Sequence, residues 1–276
     1  MSDILLLDDS EAFKELVETF RENSVKYFLI GGLALDLHYH QKEIDPPRTT
    51  RDIDFAVMVA TWDEYERLKE LLTKKGFEKT KEPYRLIRTA GGTLVDLLPF
   101  GHIEKGHSVF FPGSEVEVVV TGFKEVMDEI IPLTSKKGKY FSVYTTTLHG
   151  LFLLKLLSWH DKRAEREKDL EDIVNILENY WEFVEEEAYE EHPDLFDEED
   201  FDTQKAAARI LGRHLRKTLE KSAYIKQTVL DILEKEIFSE PPGPLPQKFS
   251  LKTGRPLDSA EVILKEILFG INDKNE

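Results

Sequence analysis

The chain has 276 residues, with 37 Lys and Arg against 54 Asp and Glu, a formal charge of −17, 41% hydrophobic residues and no cysteine. That composition supplies the core of one large or two modest globular domains, at about 100–200 residues per domain. The missing thiols exclude a disulfide scaffold, a thiolate zinc site and a cysteine nucleophile, and the net charge excludes indiscriminate coating of nucleic acid, which needs a broad basic surface to displace counterions.

The opening MSDILLLDDSEAF has neither a basic leader region nor a long apolar core. No stretch approaches the roughly 18 apolar residues of a membrane span, so a soluble, cytoplasmic chain with no membrane partner is expected. Asp9 and Ser10 are cap-type residues ahead of EAFKELVETFREN, where Phe13, Leu16, Val17 and Phe20 recur at helical spacing. KYFLIGGLALDLHYH begins as a buried strand, turns at Gly31-Gly32 and continues as a helix. After a polar loop holding Pro46 and Pro47, RDIDFAVMV alternates charged and apolar residues before becoming wholly apolar, the pattern of a strand whose start is exposed on one face. WDEYERLKELLTKKG reads as a helix stopped by Gly76, and shorter strands are expected over 84–88, 94–98 and 116–120, with Gly91-Gly92 as a hairpin turn.

From Thr147 the pattern becomes helical. LHGLFLLKLLSWHDKRAEREKDLEDIVNILENYWEFVEEE predicts two helices joined at a charged elbow over 161–167, with Trp159 and Trp181 in the core. The segment 192–202 is acidic and turn-rich, AAARILGRHLRKTLEKS and IKQTVLDILEKEIF are further helices, and PPGPLPQ reads as a proline linker before a terminal helix over 258–269. The expected organisation is an α/β domain over 1–145, a helical domain over 146–240 and a linker with terminal helix over 241–276.

The most informative feature is Asp52-Ile53-Asp54. In a strand, residues i and i+2 share a face, so the two carboxylates stand about 6–7 Å apart in Cα terms. Like charges held together are costly unless a positive group sits between them. A divalent ion with oxygen ligands such as Mg²⁺ resolves that cost; a solvated strand edge is the alternative. Upstream, Gly31-Gly32 opens a helix, where backbone N–H groups face a phosphate, although a tight turn without a ligand is common for any Gly-Gly pair. Downstream, Asp96 is a lone acid in an apolar strand and calls for a charged or metallic partner or for structural hydrogen bonds. Three carboxylates beside a glycine turn fit a phosphoryl-transfer site.

Gly31-Gly32 followed by Arg48-Thr-Thr-Arg-Asp52-Ile-Asp54-Phe resembles the signature of the DNA polymerase β-like nucleotidyltransferase superfamily, with Asp96 in the place of its third acid. LLKLLSWHDKRAEREKDLEDI resembles the Lys…Arg…Lys/Arg-Asp-x-x-Asp segment of the AbiEii/AbiGii-type toxin nucleotidyltransferases, with Lys155, Arg163, Lys168, Asp169 and Asp172 on matching positions. The resemblance covers roughly 25–180. It implies an α/β nucleotidyltransferase fold, a mixed sheet with flanking helices, followed by a helical domain that closes the nucleotide cleft. It further implies Mg²⁺ or Mn²⁺ on Asp52, Asp54 and Asp96, and an NTP contacted by Gly31, Gly32, Arg48 and Thr50 and from the helical side by Lys155, Arg163 and Lys168. The resemblance also implies a hydroxyl of tRNA or protein as the acceptor, and a type IV toxin with an antitoxin partner as the biological role. Asp169 is a candidate base for the attacking hydroxyl. The residues themselves admit a second reading of this segment: Asp169 and Asp172 share a helix face, and Lys155, set among leucines, pairs with one of them across two helices.

Two rival functions share parts of the pattern, an aminoglycoside-type small-molecule nucleotidyltransferase and a non-catalytic interaction protein that retains the fold. The eight histidines show no metal-type helical spacing, so zinc is not expected, and His38 and His40 read as loop-edge polar residues. Lys136, Lys137 and Lys139 around Gly138, and the stripe Arg209, Arg213, Arg216 and Lys217, read as solvated surface or as local contacts for RNA phosphates.

Overall fold

A computed structural model describes residues 10–46, 48, 50, 52–134, 142–196 and 201–273, with only the backbone of Ser10. The cap expected from the Asp9 and Ser10 side chains and the basic turn of Lys136, Lys137 and Lys139 lie outside what is described. The chain divides into two compact units, Met1–Thr147 and Leu148–Glu276.

The first unit is built on a mixed seven-stranded sheet. Its elements run α1 (Ser10–Glu22), β1 (Lys26–Ile30), α2 (Gly31–Gln41), β2 (Ile53–Val59), α3 (Trp62–Thr73), β3 (Phe77–Lys79), β4 (Arg85–Arg88) and β5 (Leu94–Gly101). A two-stranded ribbon of β6 (Ser108–Phe110) and β7 (Glu117–Val119) follows, then α4 (Phe123–Met127), β8 (Ile131–Thr134) and β9 (Ser142–Thr145). The strand order is β3-β4-β5-β2-β1-β9-β8, with β2–β5 and β1–β9 parallel and the other neighbours antiparallel.

Strand β2 lies at the centre of this sheet, and Phe55, Ala56 and Val57 are completely buried. Cover on both faces is why FAVMV is continuously apolar instead of alternating. On one face the rings of Phe13 and Phe20 from α1 pack with Tyr27 and Phe55 at centroid distances of 4.8–5.6 Å. On the other, Phe28, Phe100 and Phe123 form a second ring cluster at 5.8–6.0 Å. His38 and His40 are not loop-edge residues. Both lie on α2, and His38 is buried with its Nε2 2.9 Å from the Thr146 carbonyl oxygen.

The second unit is helical: α5 (Leu148–Asp161), α6 (Glu167–Glu191), a 3-10 turn at Pro193–Phe196, α7 (Thr203–Leu219), α8 (Ala223–Phe238), α9 (Pro244–Thr253) and α10 (Leu257–Asn272). Helix α5 buries apolar side chains around most of its circumference, from Leu148 to Trp159, as its unbroken leucine content requires. The segment expected as a proline linker is non-helical only over 241–243 and becomes helical from Pro244. Gly243 precedes Pro244 at the first position of α9, where proline's fixed φ suits a helix and its missing N–H costs nothing. The buried Glu236 accepts the Leu245 N–H at 2.9 Å, capping the new helix, and Leu245 and Phe249 anchor it in the core. No helix among the described residues is long and apolar enough to cross a membrane.

Helices α7 and α10 cross with backbone almost in contact. A Cβ at Gly270 would lie 2.1 Å from the Arg209 carbonyl oxygen, and one at Gly212 would lie 2.3 Å from that of Ile267. Neither oxygen belongs to a flexible side chain, so Gly270→Ala must push the helices apart. The expected loss is at least ~2 kcal/mol, read as a lowered urea midpoint with unchanged slope; a neutral result would contradict this crossing.

Candidate active site

The site is set at one end of the central strands. Strand β1 ends at Ile30 and the chain turns into α2 at Gly31, whose φ of +73° lies in the left-handed region that glycine adopts without strain. Glycine is also required by space, because a Cβ there would lie 2.2 Å from Asp54 Oδ2. The Asp54 carboxylate thus rests against the N-terminus of α2, where a negative charge meets the positive end of the helix dipole. Gly32 is similarly crowded: its Cβ would lie 3.1 Å from both Arg48 Nη2 and Thr50 Cβ. Thr49 and Arg51 of the same segment lie outside the described residues.

Strand β2 begins at Ile53, so Asp52 stands just before the strand and Asp54 is its second residue. Asp54 pairs with Ile30 on the antiparallel side and with Asp96 on the parallel side. Residues in direct register share a face, which puts the carboxylates of Asp54 and Asp96 side by side. Asp96 is 8% exposed, and its charged partner is Arg85, directly opposite on β4, whose Nε and Nη2 donate to Oδ1 and Oδ2 at 2.6 and 2.8 Å. These hydrogen bonds raise the guanidinium's pKa above its ordinary value, and Asp52 adds to the same effect. Sequence reasoning missed Arg85, because counting outwards from a turn at Gly91-Gly92 puts Ile87 opposite Asp96, whereas the observed register is centred one residue earlier and sets Arg85 there.

Gly31, Gly32, Arg48, Thr50, Asp54 and Asp96 are therefore gathered by direct register or close approach, with Asp52 beside them in sequence. Carboxylates alone make up the titratable acceptors of this group, and hard oxygen donors of this kind suit Mg²⁺ or Mn²⁺.

The second motif forms its own cluster in the helical unit. Lys155 on α5 is 5% exposed, and its Nζ lies 2.6 Å from Asp172 Oδ2 and 3.3 Å from Asp169 Oδ1 on α6. Asp172 is completely buried, and Ser158 donates to Asp169 Oδ2 at 3.1 Å. The cross-helix ion pair read from the sequence is thus present. Arg163 sits elsewhere: its Nη1 is 2.7 Å from Glu236 Oε1, and its guanidinium lies 4.3 Å from the Trp159 ring centre. Lys168 is exposed at the start of α6. The basic stripe on α7 is not simply solvated. Arg209 pairs with Glu266 and Asp273, and Arg213 with Asp194 and Asp273.

A family model described as "Nucleotidyl transferase AbiEii toxin, Type IV TA system" matches residues 16–236. No curated protein matches the chain. Among solved structures, a nucleotidyltransferase-like antigenic protein from Paracoccidioides brasiliensis is 18% identical over 77% of this chain and 91% of that one, with a TM-score of 0.38. The antibiotic-resistance factor ANT(2'')-Ia is 12% identical over 82% and 95%, with a TM-score of 0.36. A cyclic dinucleotide synthase CdnE from Elizabethkingia meningoseptica is 12% identical over 95% and 89%, with a TM-score of 0.29. At these TM-scores none of the likenesses bears on substrate or site.

Two outcomes follow from the packing. Gly31→Ala and Gly92→Ala both place alanine at a positive φ, +73° and +72°, but only the first meets a neighbour within 4 Å. Gly92→Ala should cost about 1–2 kcal/mol of backbone strain, and Gly31→Ala clearly more; equal thermal shifts would show that Asp54 does not press on Gly31. Lys155→Met strands the buried Asp172 and should lower stability by ~3–5 kcal/mol, with most of it recovered in the Lys155→Met/Asp172→Leu double variant. Unchanged urea midpoints in the single variant would remove the structural role of the pair.

Proposed function

The chain belongs to the AbiEii nucleotidyltransferase toxin family, and from that premise we propose that it transfers a nucleoside monophosphate from an NTP to a hydroxyl of tRNA or protein, releasing pyrophosphate, at the carboxylate-and-glycine edge of its sheet. The observation that carries this reading is the position of Asp54, in register with Asp96 and pressed against the glycine that opens α2.

In this proposal Asp52, Asp54 and Asp96 hold Mg²⁺ or Mn²⁺ through carboxylate oxygens. When bound, such an ion draws off negative charge from the α-phosphate and the departing pyrophosphate. The chain's own residues do the rest. Gly31 and Gly32 leave their helix-starting N–H groups open to close approach by phosphate. Arg48, lying on Gly32, brings a planar guanidinium suited to two phosphate oxygens at once, and Thr50 flanks it. Arg85 fixes the orientation of Asp96 through two charge-assisted hydrogen bonds. In the helical unit, the ion pairs of Lys155 with Asp169 and Asp172 brace the elbow that carries Arg163 and Lys168, and the exposed Lys168 is the member of that motif open to a phosphate. The biological role we propose is a toxin restrained by an antitoxin partner.

Incubation with each α-labelled NTP, Mg²⁺ and either total tRNA or a protein extract tests the reaction. Label should pass to one acceptor class, and Asp54→Asn should lower the rate by about 1000-fold, the equivalent of ~4 kcal/mol of lost transition-state stabilisation, while melting near the parent temperature. Absence of label with every NTP and acceptor, or full activity in Asp54→Asn, would overturn the proposal. Induced expression in a bacterial host should arrest growth for the parent chain and not for Asp54→Asn; equal growth would remove the toxin role.

A further inference from the structure

Two histidines of the helical unit aim the same ring nitrogen at one carboxylate oxygen. His214 Nε2 lies 2.6 Å and His192 Nε2 3.2 Å from Glu187 Oε1. Glu187 is on α6, His192 caps the C-terminus of α6, and His214 projects from α7. One ligand atom from each lies within 4.8 Å of the others. The side chains are 32%, 13% and 13% exposed respectively, sheltered but open to solvent on one side.

The hydrogen bonds fix the protons. An ionised carboxylate only accepts, so each Nε2–H points at Oε1. Against the opposing effect of burial, the two histidines hold the Glu187 carboxyl well below the usual range, at about 2. The remaining ring nitrogens are also engaged. His214 Nδ1 lies 2.9 Å from the hydroxyl of the buried Tyr180, and His192 Nδ1 accepts from Arg213 Nη1 at 2.9 Å. The charge of Arg213 is already matched by Asp194 and Asp273. The His149 ring centre is 5.1 Å from that of His214.

We infer that Glu187, His192 and His214 form a binding site for one divalent metal ion of the zinc class. Two imidazoles and a carboxylate are a donor set that zinc uses when a fourth position is left to water. Ligand atoms around tetrahedral zinc stand about 3.3 Å apart, given bond lengths of about 2.0–2.2 Å. The observed 2.6 and 3.2 Å contacts need only small outward movements to admit the ion. Imidazole nitrogen also separates this site from the oxygen-only group at Asp52, Asp54 and Asp96, because nitrogen donors select zinc, cobalt and nickel over magnesium. The protons have a destination. Each histidine gives its Nε2 lone pair to the metal and shifts its proton to Nδ1. At His214 that proton is donated to the Tyr180 oxygen. At His192 it requires Arg213 Nη1 to turn from the ring, while the guanidinium keeps Asp194 and Asp273. Tyr180 is thereby a positioning residue for the His214 ligand.

The test uses the full chain, stripped with a chelator and titrated with Zn²⁺ in competition with a chelating dye, and separately with Co²⁺ followed by visible absorption. One zinc per chain is expected. His192→Ala and His214→Ala should each weaken it by at least about 100-fold, and Tyr180→Phe by about 10-fold. Glu187→Gln should shift the Co²⁺ bands, and Asp54→Asn should leave zinc affinity unchanged. Far-UV circular dichroism of each metal-free variant shows that it is folded. If a folded variant cannot be obtained for one ligand, the Co²⁺ spectrum of the parent chain, tetrahedral with imidazole ligands or not, decides. No stoichiometric zinc, or affinity retained in the His192→Ala/His214→Ala double variant, or lost in Asp54→Asn, would overturn the inference.

Discussion

Like charges do not sit together unpaid for in a folded protein, and the first unit is organised around that constraint. Parallel pairing of β2 with β5 sets Asp54 beside Asp96, and Asp52 stands immediately before the same strand. Carboxylates set side by side repel one another unless positive potential is close by. Arg85 supplies it for Asp96 as a two-point clamp, and the start of α2 supplies it for Asp54. The glycine at position 31 follows from this arrangement: any side chain there would occupy the volume of the Asp54 carboxylate. A proposed divalent ion adds to these positive groups and does not replace all of them, since the α2 terminus is fixed by the fold.

The helical unit solves the same problem with side chains alone. Lys155 sits among leucines on α5 and is matched by two carboxylates of α6, one of them completely buried. Removing Lys155 would leave the buried Asp172 without a cation, so the triad ties α5 to α6. Arg209 and Arg213 are matched in the same way by Asp273, which draws the end of α10 onto α7. Two arginines of a stripe that reads as basic in the sequence are therefore matched within their own unit, while Lys217 stays exposed beside them.

Legibility in the sequence follows the range of the interactions concerned. Helix α1, the passage from β1 through Gly31 into α2, and the core of β2 were readable because each is encoded by local periodicity or by glycine. The acids at 52, 54 and 96 were readable as candidates because a charge in an apolar run is conspicuous wherever it lies. Their surroundings were not. Arg85 becomes meaningful only once the β4–β5 register is known, Glu236 only once it caps α9, and the burial of His38 only once Thr146 is brought to it. The short strands β3, β8 and β9 hold three or four residues each, too few for a period to register. PPGPLPQ misled because proline's two effects oppose each other: it breaks helix interiors yet starts helices well.

The histidines carry this point furthest. Two residues on one helix turn announce a metal site by their spacing, whereas Glu187, His192 and His214 are assembled from the end of one helix, its cap and the middle of the next. What marks them is chemical convergence in space, both imidazoles turned onto a single oxygen. The same principle separates the two proposed ion sites of this chain. Oxygen-only ligands that share a glycine turn suit a hard ion delivered with a phosphate, and mixed nitrogen and oxygen ligands held by a buried phenol suit a borderline ion held by the protein itself. In a chain without cysteine, that division of donor atoms is the means left for keeping one metal from displacing the other, because affinity order alone would favour zinc at both.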